Sequence, residues 1–133
     1  GVFTAGALAG SVTITAIDAI GNTATAAITV PGLALTFDVA GVTQAAAGGA
    51  SLITVTANGS GVGFTSAIAN NNAVSGYTDL PTIIATGTTL TITSPATLPT
   101  AAQGDQTFTI TVTDASNTNT GTLTYLLLKA AAA

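Results

Sequence analysis

The side chains able to do chemistry are few. Five aspartates, Asp18, Asp38, Asp79, Asp105 and Asp114, and one lysine, Lys129, are the only charged groups, and histidine, cysteine, glutamate and arginine are absent. A serine or threonine nucleophile needs a neighbouring base to take its proton, and the usual base is missing. Two aspartates could in principle divide the roles of acid and base. Asp18 and Asp114, however, lie in segments that read as hairpin turns, where an aspartate bonds its own backbone. The sequence therefore points away from an enzyme, and no catalytic or cofactor-binding residue is assigned.

Calcium is the one ion that aspartate and backbone oxygens would suit. The Asp-x-x-x-Asn spacing of Asp18 and Asn22 does not match a helix–loop–helix calcium loop, and only Asp105 and Asp114 lie within about ten residues of each other. No metal and no cofactor are expected. Asn58-Gly59-Ser60 fits the acceptor rule for N-linked glycosylation and makes Asn58 a possible glycan site. The same residues also read as a tight Asn-Gly turn. The stretch GVGF at 61–64 lacks the lysine and the following helix of a phosphate loop.

The elements that would position these residues read as strands. In LALTFDV (33–39), Leu33, Leu35, Phe37 and Val39 alternate with Ala34, Thr36 and Asp38, the pattern of a half-buried antiparallel strand. SLITVTA (51–57), TIIA (82–85) and TTLTITS (88–94) alternate in the same way, and a middle strand is expected around Val62 to Ile68. Leu33, Leu35, Phe37, Ile53, Val55, Leu90, Ile92, Phe108, Ile110, Leu123 and Tyr125 are the expected core. The Ala clusters at 45–47 and 130–133 are too short to nucleate a helix. The longest irregular stretch, 57–81, contains a polar excursion through Asn70, Asn71 and Asn72.

Composition narrows the class. The chain has 133 residues, a net charge of −4 and only 5% charged residues, against roughly 25% in ordinary soluble domains. With no basic patch it is not expected to bind nucleic acid or an anionic membrane surface. No apolar run reaches the roughly 18 residues of a membrane span. Threonine makes up about a fifth of the residues, a choice that suits the solvent face of strands. A hydrated surface without charge fits an extracellular or polymeric protein better than a cytosolic one, which usually keeps charge for solubility. The absence of an initiator methionine and of a signal peptide gives the chain the look of a processed or cropped product.

One phrase occurs twice. SVTITAIDAIGNTATAAITV (11–30) returns as TFTITVTDASNTNTGTLTYLLL (107–128). Val12, Ile14 and Ala16 fall on Phe108, Ile110 and Val112, and Asp18-Ala19 on Asp114-Ala115. After a turn that is one residue longer in the second copy, Ala26, Ile28 and Val30 fall on Leu123, Tyr125 and Leu127. Both copies read as hairpins with threonine outside and apolar residues inside. The separation is the length of one immunoglobulin-like sandwich.

The phrase resembles the last two strands of the immunoglobulin-like and cadherin-like repeats of bacterial and archaeal surface and filament proteins. The resemblance covers about 20 residues at each end and, loosely, all of 31–129. It lacks the Trp and Cys pair of antibody domains and the clustered acids of calcium-bridged cadherin junctions. It implies an all-β, immunoglobulin-like antiparallel sandwich over 31–129, an N-terminal strand segment over 1–30 and a tail at 130–133, with Pro31-Gly32 as the joint.

An isolated hairpin is marginal in water. The first copy is therefore expected to be donated to a neighbouring subunit, with Phe3, Leu8, Val12, Ile14, Ile28 and Val30 as contact residues. The expected function is that of a structural subunit of an extracellular, pilus-like filament, a homopolymer assembled head to tail by strand complementation at the cell surface. The alternative is an immunoglobulin-like repeat cut from a surface adhesin or surface-layer protein.

Overall fold

The computed structural model describes Thr4, residues 10–72 and residues 75–131. Every element in them is a β-strand: β1 (Gly10–Ile17), β2 (Thr23–Val30), β3 (Thr36–Phe37), β4 (Gly41–Gln44), β5 (Ala50–Ala57), β6 (Phe64–Asn70), β7 (Thr82–Thr86), β8 (Thr89–Thr93), β9 (Gln106–Asp114) and β10 (Thr120–Leu127). The protein is all-β. Two four-stranded sheets, in the orders β4-β10-β9-β6 and β3-β5-β8-β7, account for β3 to β10. They share one hydrophobic core, an arrangement compatible with a β-sandwich. All the pairings are antiparallel except that of β4 with β10, which is parallel.

Alternation places the core. Ile53 and Val55 of β5, Leu90 and Ile92 of β8, Phe108, Ile110 and Val112 of β9, and Leu123, Tyr125 and Leu127 of β10 are buried together with Leu35 and Tyr77. The intervening threonines of β9 and β10 lie on the outer face. Phe108 and Tyr125 sit opposite each other in register, with ring centroids 6.2 Å apart and planes tilted by 57°, a favourable aromatic arrangement.

The segment 33–39 departs from the expected single strand. Only Thr36 and Phe37 pair with β5, across a register shift, after which Asp38 closes the pairing through its amide to Thr54 O (3.0 Å) and its carboxylate from Thr54 N (2.9 Å). The chain then crosses to the other sheet and runs along β10 as β4. Leu33 and Val39 lie on either side of this short pairing and are 47% and 40% exposed, so the expected burial of Leu33 is corrected. Phe37 is half-buried, and the other nine expected core residues are buried. The middle strand runs from Phe64 to Asn70, later than its expected start, and Val62 is exposed.

Candidate functional site

The hairpin β1–β2 forms a two-stranded sheet of its own. Its register places Gly10 opposite Val30, Val12 opposite Ile28, Ile14 opposite Ala26 and Ala16 opposite Ala24. In β9–β10 the corresponding pairs are Gln106–Leu127, Phe108–Tyr125, Ile110–Leu123 and Val112–Gly121. Adding 96 to each β1 position and 97 to each β2 position converts one set of pairs into the other. The repeated phrase is thus a repeated structure, strand for strand and pair for pair.

The surroundings of the two copies differ. Phe108 and Ile110 are fully buried, whereas Val12 and Ile14, at the matching positions, are each 43% exposed. Ile28 and Val30 are half-buried. The other two residues expected at this surface, Phe3 and Leu8, lie outside the described residues. The second copy is flanked by β6 along β9 and by β4 along β10, and the opposite sheet covers its inner face. Among the described residues the first copy pairs only with itself.

The turns repeat the contrast. In the first, Asp18 Oδ1 accepts from Ile20 N (2.9 Å) and Asn22 N (2.8 Å), and Asp18 Oδ2 accepts from Asn22 Nδ2 (2.7 Å). These bonds, led by the Asn22 side chain, hold the Asp18 carboxyl below its ordinary pKa. Gly21 takes the left-handed conformation that this turn requires (φ 92°).

In the second turn, Asp114 Oδ1 accepts from Ser116 N (2.9 Å), Ser116 Oγ (2.9 Å) and Asn117 N (3.3 Å). Asp114 also receives bonds from outside the hairpin: Ser60 Oγ donates to Oδ1 (2.8 Å) and Ser60 N donates to Oδ2. Asp114 is fully buried. Burial disfavours its charged form, but the donors from Ser60 and Ser116 outweigh burial and push the pKa well below the ordinary carboxylate range.

The 58–64 segment is the clasp on this second turn. Asn58 O accepts from Asn119 Nδ2 (2.8 Å) and Asn117 Nδ2 (3.4 Å), and Ala115 N donates to Gly63 O (3.0 Å). Asn58 has φ 63°, and its side-chain amide donates to Ala34 O (2.6 Å). Both chemical ends of the sequon are therefore engaged, the amide by Ala34 and the Ser60 hydroxyl by Asp114.

Ser60 is the partner that sequence reasoning missed. It lies 54 residues from Asp114, and a serine after Asn-Gly carries no local sign of such a contact. At the first turn no such clasp is present among the described residues, and the exposed Ala16, Ile17, Asp18, Asn22, Thr23 and Ala24 line a shallow, open depression of about 310 Å³.

Other polar groups bond within the fold. Asn71 N donates to Thr107 O (2.8 Å), and Asn70 Nδ2 donates to Tyr77 O (3.2 Å), so the polar excursion ties β6 to its surroundings. Lys129 and Asp105 form an exposed ion pair at 3.8 Å, which contributes little to stability. Among the described residues no three of His, Cys, Asp and Glu lie close enough together to hold a metal ion. No helix of the described residues is long and apolar enough to cross a membrane. Comparison with protein-family models, with curated proteins and with solved structures gave no match.

Proposed function

We propose that the chain is a non-catalytic structural unit of an extracellular, pilus-like filament in which successive immunoglobulin-like sandwiches are joined by strand complementation. The hairpin 10–30 closes the sheet of a neighbouring unit. One observation carries this reading: the hairpin has the register of β9–β10, yet Val12 and Ile14 are exposed where Phe108 and Ile110 are fully buried, and Ile28 and Val30 are only half-buried. A hairpin alone is marginal in water, so a bare apolar face and two open edges favour pairing with something else. The scarcity of charge favours the same use. A seam without charged groups carries no desolvation penalty for ions.

A second reading has its own support. The offset of 96 to 97 residues equals one complete unit running from the end of β2 to the end of β10. That spacing favours a tandem repeat of a surface adhesin or surface-layer protein, with the completed sandwich on the same polypeptide. The two readings share the role of the hairpin and differ in whether a peptide bond joins the units.

Negative-stain microscopy and intact mass of the native material test the proposal. Filaments of uniform width built from chains of about 13 kDa support the first reading. A polypeptide several times heavier supports the second. Deleting residues 1–30 is expected to leave a folded monomer that no longer associates, and a truncated protein that still polymerises would refute both.

A further inference from the structure

We infer that the hairpin is seated in its partner as β9–β10 is seated in its own sheet, with both outer edges paired and the turn clasped, and that the partner is a sandwich whose closing position is vacant. The inference rests on the reading that the hairpin completes another sandwich, and it specifies how; because a filament of identical chains offers the hairpin only copies of 31–131, it goes with the tandem-repeat form of that reading, in which the neighbouring sandwich has a different sequence. In β9–β10, β9 pairs antiparallel with β6, placing Ser66 opposite Val112 and Ile68 opposite Ile110. β10 pairs parallel with β4, placing Val42 opposite Tyr125. Carried back by 96 and 97 residues, a β6-like strand lies along β1 opposite Ala16 and Ile14, and a β4-like strand lies along β2 opposite Ile28.

The turn supplies an independent observation. The residues lining the depression at the first turn correspond to Val112, Thr113, Asp114, Asn119, Thr120 and Gly121. At those positions Ser60 bonds Asp114, Asn58 O bonds Asn119, and Leu35 N bonds Thr120 O (2.7 Å). The depression is where a clasp of the same kind enters. The chemistry that fits it is a short loop presenting a backbone N–H and a hydroxyl to Asp18 and a carbonyl to Asn22.

A second copy of 31–131 does not offer this seat. Its closing position is filled, and the first hairpin is a poor replacement for the second. Val12 would stand for Phe108, Ala26 for Leu123 and Ile28 for Tyr125, each leaving a cavity in a packed core. Ala24 would stand for Gly121, where an added Cβ meets Leu35 O and the Phe37 ring, each at 2.7 Å. The partner therefore carries bulkier inner side chains than this sandwich, and its counterpart of Leu35–Phe37 stands farther out.

Hydrogen exchange of the backbone amides tests this, comparing the isolated full chain with the native assembled material. The expected result is that the outward amides of both β1 and β2 exchange freely in the isolated chain and slow, on assembly, to within about tenfold of the β9 and β10 amides. Protection of one edge only would overturn the seat while leaving complementation intact, as simple edge addition between copies. Protection of neither edge would overturn both.

A second test supplies the seat directly by joining a further copy of residues 31–105 to Gly10, which reproduces the Asp105–Gln106 junction. With V12F, A16V, A24G, A26L, I28Y and V30L this protein is expected to protect both hairpin edges and to gain a second cooperative unfolding unit. An unprotected hairpin in that protein would overturn the seat.

Discussion

Asp114 and Asp18 occupy the same place in the same turn, and mutating each separates what the turn does from what the clasp does. Replacing Asp114 with Ala removes the acceptor of bonds from Ser60, Ser116 and Asn117. A hydrogen bond to a charged acceptor contributes about 1.5–3 kcal/mol, and the contributions do not add in full. Ser60 and Ser116 are exposed, so water takes over part of what they lose. The expected loss is about 2–4 kcal/mol, equivalent to roughly 10–20 °C in melting temperature for a domain of this size.

The pH dependence has a definite sign. The folded pKa of Asp114 lies below the unfolded value of about 3.9, so the clasp stabilises the fold in full above that value and less as pH falls through it. Urea unfolding followed by circular dichroism should show wild type losing stability steeply below about pH 4, and Asp114→Asn losing less over the same range. Asp18→Asn should leave the unfolding of the two-sheet body unchanged, because its bonds stay within its own exposed turn. A loss below about 1 kcal/mol for Asp114→Ala, or superimposable pH profiles for wild type and Asp114→Asn, would refute the clasp.

Four further outcomes are expected. Phe108→Ala should cost about 3–5 kcal/mol in chemical unfolding, whereas Val12→Ala at the matching position should leave the midpoint of the isolated chain unmoved. Gly121→Ala should destabilise by about 1–3 kcal/mol, because Leu35, held by its bond to Thr120, cannot retreat from the new methyl group; a neutral result in thermal melts would contradict that packing. Tyr125→Phe should be neutral or stabilising by calorimetry, because the buried Tyr125 hydroxyl makes no hydrogen bond of normal geometry, with only a weak interaction with the Ser94 side chain. Peptide mapping of native material should find Asn58 unmodified, since its amide is bound to Ala34 and Ser60 is bound to Asp114.

Alternation carried most of what was legible in the sequence. Strands β5, β8, β9 and β10 bury one face each, and a period of two in Thr-rich segments marks that face directly. The hairpin registers were legible for the same reason, helped by the Asp–Asn turns. The switch of the chain between sheets at Asp38–Gly41 was not. Leu33 to Val39 alternates without a break, and only the pairing of Asp38 with Thr54 shows where the strand leaves its sheet. The parallel partnership of β4 and β10 joins residues about 80 apart and leaves no mark on Gly41–Gln44. The clasp was hidden for a similar reason, since Asp18 and Asp114 have the same local signature and differ only in what a distant loop brings to one of them.

The edges of the hairpin bear on whether its exposure is incidental. Sheets that leave an edge in water usually protect it with lysine, proline, a bulge or an inward charge. β1 and β2 contain none of these: they consist of Gly, Ser, Val, Thr, Ile and Ala, and they pair without a register shift. β9 and β10 are equally free of lysine and proline, and there both edges are covered, by β6 and β4. The two hairpins therefore have the same undefended edges, and among the described residues only β9–β10 has neighbouring strands. If β1–β2 were a surface ornament, its apolar residues would have no reason to gather on one face, since alternation in a two-stranded ribbon brings no benefit unless something covers that face. Val12, Ile14, Ile28 and Val30 nevertheless share a face, while the other carries Ser11, five threonines and Ala27, with Ile17 at its turn end as the one large apolar exception. A face sorted in this way, on strands with nothing to repel a third, is what the proposed role of a closing pair requires, and it gives the exposure of Val12 and Ile14 a physical reason.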